Sequence, residues 1–217
     1  MRLTMTAFMM IALALPAAWA QTDTPPAPEP PSRAYHYLWL QDPWTGETAL
    51  SVVREPSMEL WNAARVDDYA EAIEVEASPA LAVLSINRLD IQVPVYNGTD
   101  EFNLNRGLGR IRGMARLHED GNLGISGHRD GFFRALKDIE GGDEIVLKTT
   151  EGVDTYQVSG ITIVDKHDET PLGPTEGKQL TLVTCYPFYF VGNAPKRMII
   201  VAEPVEHSPV LEESGTL

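Results

Sequence analysis

From residue 78 onward the sequence is a succession of short apolar runs, each closed by turn residues, and that pattern leaves little room for long helices. Residues 81–86 and 91–96 read as short strands separated by the break Asn87-Arg88-Leu89-Asp90. Similar runs recur at 123–126, 144–149, 155–164, 179–184 and 197–202. Many short strands at close spacing predict an all-β barrel or sandwich. Residues 102–108 and 132–139 read as short helical segments, and Gly141-Gly142-Asp143 as a turn.

The chain before residue 78 has a different character. Arg2 precedes a mainly apolar run over 3–20, interrupted at Pro16 and ending in Ala18-Trp19-Ala20. Residues 1–20 therefore read as a secretory signal peptide with a small-residue cleavage site. The competing reading is an uncleaved signal anchor, because the run nearly reaches bilayer-spanning length. Either reading exports the body, to the periplasm or the outer face of the cytoplasmic membrane, with membrane association through the N-terminus under the second. Residues 21–55 form a Pro-rich linker (Pro25, Pro26, Pro28, Pro30, Pro31) followed by an irregular segment, in which Tyr37, Trp39 and Trp44 predict docking onto the body. Within 56–77, Met58, Leu60, Trp61, Ala64, Val66, Tyr69 and Ile73 predict an amphipathic helix over about 57–75, started by Pro56 and Ser57. Residues 78–204 form the β-rich body, and 205–217 an acidic tail. A formal net charge of -14 over 217 residues excludes a nucleic-acid partner, since no basic stripe is present to neutralise phosphates.

Cys185 is the sole cysteine, so it forms no intramolecular disulfide. If 179–185 and 196–202 pair as an antiparallel hairpin, Cys185 ends one strand and Arg197 opens the next, at the same end of the ladder. Alternation then groups Thr181, Val183 and Cys185 on one face, and Arg197, Ile199 and Val201 on one face of the neighbour. A thiol, whose free pKa is about 8.5, gains reactivity beside a permanent cation. The backbone N–H after Cys185 is a candidate second oxyanion donor. Spacing does not place His128, which lies in Ser126-Gly127-His128-Arg129-Asp130. His36, His118, His167 and His207 read as structural or solvated, Asp130 as a turn residue, and Ser126 and Thr184 as packing or hydrogen-bonding groups. The acidic loop over 165–170 lacks EF-hand order, and one cysteine does not make a thiolate-rich zinc site, so no metal and no cofactor are expected.

Three separated motifs, in order, carry a resemblance to a known family. They are Gly121-Asn122 leading to Ser126-Gly127-His128-Arg129-Asp130 with Phe133 and Leu136; Gly142-Asp143-Glu144-Ile145 with Tyr156-Gln157-Val158; and Leu182-Val183-Thr184-Cys185-Tyr186-Pro187-Phe188 with Val191-Gly192-Asn193-Ala194-Pro195-Lys196-Arg197. The sequence resembles the sortases from about Pro94 to Ala202, and its Cys-Tyr-Pro-Phe form resembles class D and E and the single proteobacterial sortases. The resemblance implies a closed eight-stranded β-barrel with short helices, here with an N-terminal amphipathic helix. It implies a cysteine transpeptidase that cleaves an LPxTG-like C-terminal sorting signal of a secreted protein between Thr and Gly. The acyl group passes through a thioacyl-enzyme to an amine acceptor, a cell-wall peptide or a protein lysine. Carried onto this sequence, Cys185 is the nucleophile, His128 the general acid and base, and Arg197 the group that binds the substrate carbonyl or the oxyanion. The active form would then be a thiolate–imidazolium pair. Two rival readings are an L,D-transpeptidase-like cysteine enzyme acting on peptidoglycan, whose Ser-His-Gly-Cys type of motif is absent, and a non-catalytic β-barrel binding module.

Overall fold

A computed structural model of the chain describes residues 34–205. The signal peptide or anchor over 1–20, the Pro-rich residues up to 33, and the tail beyond residue 205 lie outside the described residues.

Ten strands are present among the described residues: β1 (Tyr35–Gln41), β2 (Thr48–Arg54), β3 (Ala82–Ile86), β4 (Ile91–Asn97), β5 (Leu108–Arg110), β6 (Asn122–Ser126), β7 (Glu144–Lys148), β8 (Val153–Asp165), β9 (Gln179–Tyr186) and β10 (Lys196–Pro204). Two α-helices accompany them, α1 (Ala63–Ile73) and α2 (Glu101–Arg106). Strands β3 to β10 close into an eight-stranded barrel in the order β10-β8-β7-β3-β4-β5-β6-β9, which leaves the sheet no edge. The expected all-β closed barrel is therefore present.

Alternation along each strand builds the core. Leu84, Ile86, Val93, Val95, Leu123, Ile125, Leu180, Leu182, Met198, Ile200 and Ala202 point inward and are buried. Phe133, with no exposed surface, caps the barrel interior with Leu136 from the segment after His128. Truncating a side chain such as Phe133 to Ala costs about 3–5 kcal/mol through lost transfer energy and the cavity left behind.

Three expectations need correction. The segment over 34–55 is not irregular, since β1 and β2 form an antiparallel hairpin with Leu40 opposite Ala49. It is fastened to the barrel by Gln41 N–H donating to Ala80 O at 2.8 Å, and by Leu40 and Val53 packing with Ala80, Val83 and Tyr96. Alternation turns Tyr37 and Trp39 the other way, and they stay 79% and 59% exposed instead of docking. Trp44 does dock, under the guanidinium groups of Arg110 and Arg116. Second, the helix expected over 57–75 is shorter, because its first N–H groups are capped by Asn62 and not by Ser57. Asn62 Oδ1 accepts from Arg65 N at 2.9 Å, with Asn62 itself in extended conformation. Trp61, just before the cap, stacks edge-on against Phe132 at 4.8 Å, and Tyr69 meets the same ring at 5.8 Å. Such pairs add about 0.5–1.5 kcal/mol each beyond area burial. Third, the helix expected over 102–108 stops at Arg106, and Leu108 opens β5. This three-residue strand pairs parallel with β4, with Val95 opposite Leu108. That pairing is long-range, so a three-residue segment, Leu108-Gly109-Arg110, gives no local signal of it.

Asn62→Ala should lower the unfolding free energy by about 1 kcal/mol in urea titrations. Ser57→Ala should change it by less than about 0.5 kcal/mol. Equal effects would mean that α1 starts elsewhere.

Candidate active site

The site is built on the outer face of the barrel, where three neighbouring strands present one row of side chains. Inward positions on β6, β9 and β10 fill the core with Leu123 and Ile125, Leu180 and Leu182, and Met198 and Ile200. The intervening positions, Ser126 on β6, Val183 and Cys185 on β9, and Arg197 on β10, face outward. Arg197 sits directly opposite Cys185 in the antiparallel β9–β10 ladder, so the strand-spacing expectation for this pair holds.

His128 reaches the same place through a parallel pairing. Strands β6 and β9 run side by side with Ser126 opposite Val183. Gly127 N–H donates to Val183 O at 3.2 Å, and the Thr184 hydroxyl donates to Gly127 O at 2.8 Å. Equal offsets along two parallel strands bring His128 level with Cys185, two residues beyond each pair. Gly127 is also a packing requirement. A Cβ there would lie 2.6 Å from Leu108 Cδ2 and 2.7 Å from Phe133 Cδ2.

Arg197 is engaged only with its own backbone surroundings, donating to Lys196 O at 2.9 Å and Ala194 O at 3.3 Å. Among the described residues no carboxylate pairs with it. Its positive charge is therefore available to a carbonyl or oxyanion at Cys185. Cys185 is a free, half-buried thiol.

The loop between β9 and β10 is fastened to the histidine segment by two arginines. Arg129 donates to Phe190 O at 2.7 Å and Gly192 O at 2.8 Å, and Arg134 donates to Phe188 O at 2.5 Å. Arg134 also stacks over Tyr189 at 4.2 Å. The loop's apolar tip, Tyr189, Phe190 and Val191, faces solvent.

The other histidines have structural surroundings: His36 bonds Glu55 at 3.0 Å, and His118 lies 3.2 Å from Asp154. His207 lies outside the described residues. In the acidic loop, Asp165 and Asp168 each accept a backbone N–H two residues on, the ordinary work of turn residues. Among the described residues no cluster of three or more His, Cys, Asp or Glu has metal-binding geometry.

The surroundings of His128 are what the sequence did not reveal. Glu101 Oε1, at the start of α2, lies 3.3 Å from His128 Nε2 but outside hydrogen-bond alignment, so the contact is electrostatic. Arg65 on α1 lies 3.9 Å from the same carboxylate and 3.5 Å from Asp130. Asp130 also accepts from Asn62 Nδ2 at 3.2 Å, so it binds α1 to the histidine loop and is more than a turn residue. Burial is the main force holding the imidazole below its ordinary proton affinity, and Arg65 pushes the same way. Glu101 and Asp130 pull back only part of that shift. These surroundings therefore disfavour the imidazolium half of the expected thiolate–imidazolium pair. Burial and the Arg65 charge both come from tertiary packing.

Gly127→Ala should lower stability by about 1–3 kcal/mol, read from denaturant midpoints, because the new methyl meets Leu108 and Phe133. Adding Phe133→Leu should make the two changes non-additive in the favourable direction.

The sortase domain profile matches residues 84–205, more than half of the chain and nearly the whole barrel. Sortase D of Bacillus subtilis is 38% identical over 131 residues, which cover 60% of this chain and 66% of that protein. Sortase SrtE1 of Streptomyces coelicolor is 29% identical over 153 residues, covering 62% of this chain and 43% of that protein. The chain thus spans 66% and 43% of the lengths of these curated relatives. The solved structure of sortase A from Corynebacterium diphtheriae superposes with a TM-score of 0.56 at 27% identity, covering 80% of this chain and 78% of that one. Profile, relatives and barrel agree, and the chain belongs to the sortase family.

Proposed function

We propose that this protein is a transpeptidase that cleaves an LPxTG-like C-terminal sorting signal of a secreted protein between Thr and Gly and transfers the acyl part to an amine. The observation that carries the proposal is the register of β6, β9 and β10: Arg197 stands directly opposite Cys185, and the parallel pairing that ends at Ser126 opposite Val183 leads His128, two residues past β6, to the same end.

The chemistry follows from that arrangement. The Cys185 sulfur attacks the Thr carbonyl carbon, and the thiol proton passes to the neutral imidazole of His128. The carbonyl oxygen becomes an oxyanion, which Arg197 stabilises across the strand pair. As the C–N bond to Gly breaks, the imidazolium returns its proton to the departing amine. A thioester to Cys185 remains, and an incoming amine, from a cell-wall peptide or a protein lysine, displaces the sulfur by the reverse proton path. A depressed proton affinity of His128 suits this order, because the ring begins as a proton acceptor and becomes a strong acid once charged. The exposed apolar tip at Tyr189, Phe190 and Val191 borders the site and offers a contact for the apolar part of a sorting peptide.

The apolar N-terminal run and the export of sortases together support a location on the outer face of the cytoplasmic membrane or in the periplasm. Among the described residues no helix is long and apolar enough to cross a membrane.

Mixing the protein with a Leu-Pro-Glu-Thr-Gly peptide should give an intact-mass adduct matching the peptide through Thr. The adduct should be absent in Cys185→Ala and should be released by an added amine. Arg197→Ala should lower kcat/KM by about 10²–10³-fold, the loss typical of removing one oxyanion donor. A protein that binds the peptide equally well with Cys185→Ala and never forms the adduct is a binding module, and the transpeptidase reading then falls.

A further inference from the structure

Helix α1 lies outside the eight barrel strands, yet it sends a charged side chain to the catalytic end. The Arg65 side chain is only 11% exposed. Its guanidinium donates to Asn105 Oδ1 at 2.5 Å, and it lies 3.4 Å from Asp68, 3.9 Å from Glu101 and 3.5 Å from Asp130. A buried arginine is tolerated only when its charge is matched, and here the match comes from three separate segments. Asp68 is on α1, Glu101 on α2, and Asp130 in the loop that carries His128. Asn62, the cap of α1, holds the same Asp130 by a hydrogen bond of 3.2 Å. The aromatic contacts of Trp61 and Tyr69 with Phe132, four residues after His128, fasten helix and loop together. Arg65 also packs its methylenes over Gly131, three residues after His128.

We propose that Arg65 is a positioning residue for the reaction: it ties Glu101 and Asp130 into a charge cluster beside the His128 imidazole and so makes docked α1 part of the active site. This rests on the reading of His128 as the proton carrier. Arg65 offsets Glu101 and Asp130, the two carboxylates that favour the imidazolium. With α1 docked the Arg65 charge favours the uncharged ring, the form that accepts the thiol proton. Without Arg65, Glu101 and Asp130 would keep the ring protonated to higher pH, and fewer molecules would hold a proton acceptor at Cys185. The ionisable groups around the imidazole are Arg65 and its partner Asp68 from α1, Glu101 from α2, and Asp130 from the ring's own loop. Cys185 and Arg197 stand opposite each other on the neighbouring β9–β10 ladder. The lowered proton affinity of the ring agrees with the geometry, since burial comes first among its causes and Arg65 second.

The test is an NMR titration of the His128 imidazole in the full-length chain in detergent micelles, with its signal assigned by loss in His128→Gln. Arg65→Gln should move the midpoint to higher pH, Glu101→Gln to lower pH, and Arg65→Lys should stay near wild type. The pH dependence of kcat/KM should show a limb that moves in the same directions. Loosening of the helix alone would admit water and move both Gln variants the same way, toward an ordinary histidine. That result, or an unmoved midpoint in Arg65→Gln, overturns the proposal. Opposite shifts without any thioacyl adduct on wild-type Cys185 would leave the charge cluster standing and strike the transpeptidase reading instead.

Discussion

The parallel pairing of β6 with β9 is the constraint on which the site depends. Its register, Ser126 opposite Val183, is continued past the strand ends by the two hydrogen bonds that hold Gly127 against Val183 and Thr184. Parallel strands share a direction, so the residues that follow them emerge at the same end of the barrel, one carrying an imidazole and the other a thiol. Antiparallel β10 then begins where β9 ends, and Arg197 arrives opposite Cys185 without any further device. The interior row of Leu123, Ile125, Leu180, Leu182, Met198 and Ile200 fixes that register. A slip by one residue would turn these side chains to solvent and bury the reactive ones.

Around His128, Cys185 and Arg197 the described residues form a second layer made of charge. Two arginines, Arg129 and Arg134, hold the β9–β10 loop through its backbone carbonyls. A third, Arg65, holds the histidine loop through Asp130. The carboxylates Asp68, Glu101 and Asp130 of this acidic chain are locally balanced by Arg65. The same helix that supplies Arg65 buries the Phe132 ring, so apolar packing and electrostatics reach His128 through one element.

Much of the barrel was legible because alternation is a local property. The strands β3, β4, β6, β7, β8, β9 and β10 lie close to the runs read from the sequence. The exceptions are instructive. Strand β5 spans three residues and exists only through its neighbours β4 and β6. The β1–β2 hairpin was hidden because its outward face is apolar, with Tyr35, Tyr37, Trp39, Leu50 and Val52 exposed, which blurs the contrast that marks a half-buried strand. The start of α1 was misplaced because Pro56 and Ser57 satisfy the usual start pattern, while the cap that forms is the one six residues after Pro56, where Trp61 can reach Phe132.

The sequence by itself determined the alternating strands, the hairpin that sets Cys185 against Arg197, and the motifs that mark the family, because each is written in neighbouring residues or in two strands joined by a short loop. Only the tertiary structure decided where His128 stands relative to the thiol, and which charges surround it. Those contacts join segments far apart in the chain, Arg65 with Glu101, Asp130 and Asn105. The proton affinity of His128 follows from burial and from the balance of those charges, and neither exists until the barrel has closed and α1 has docked.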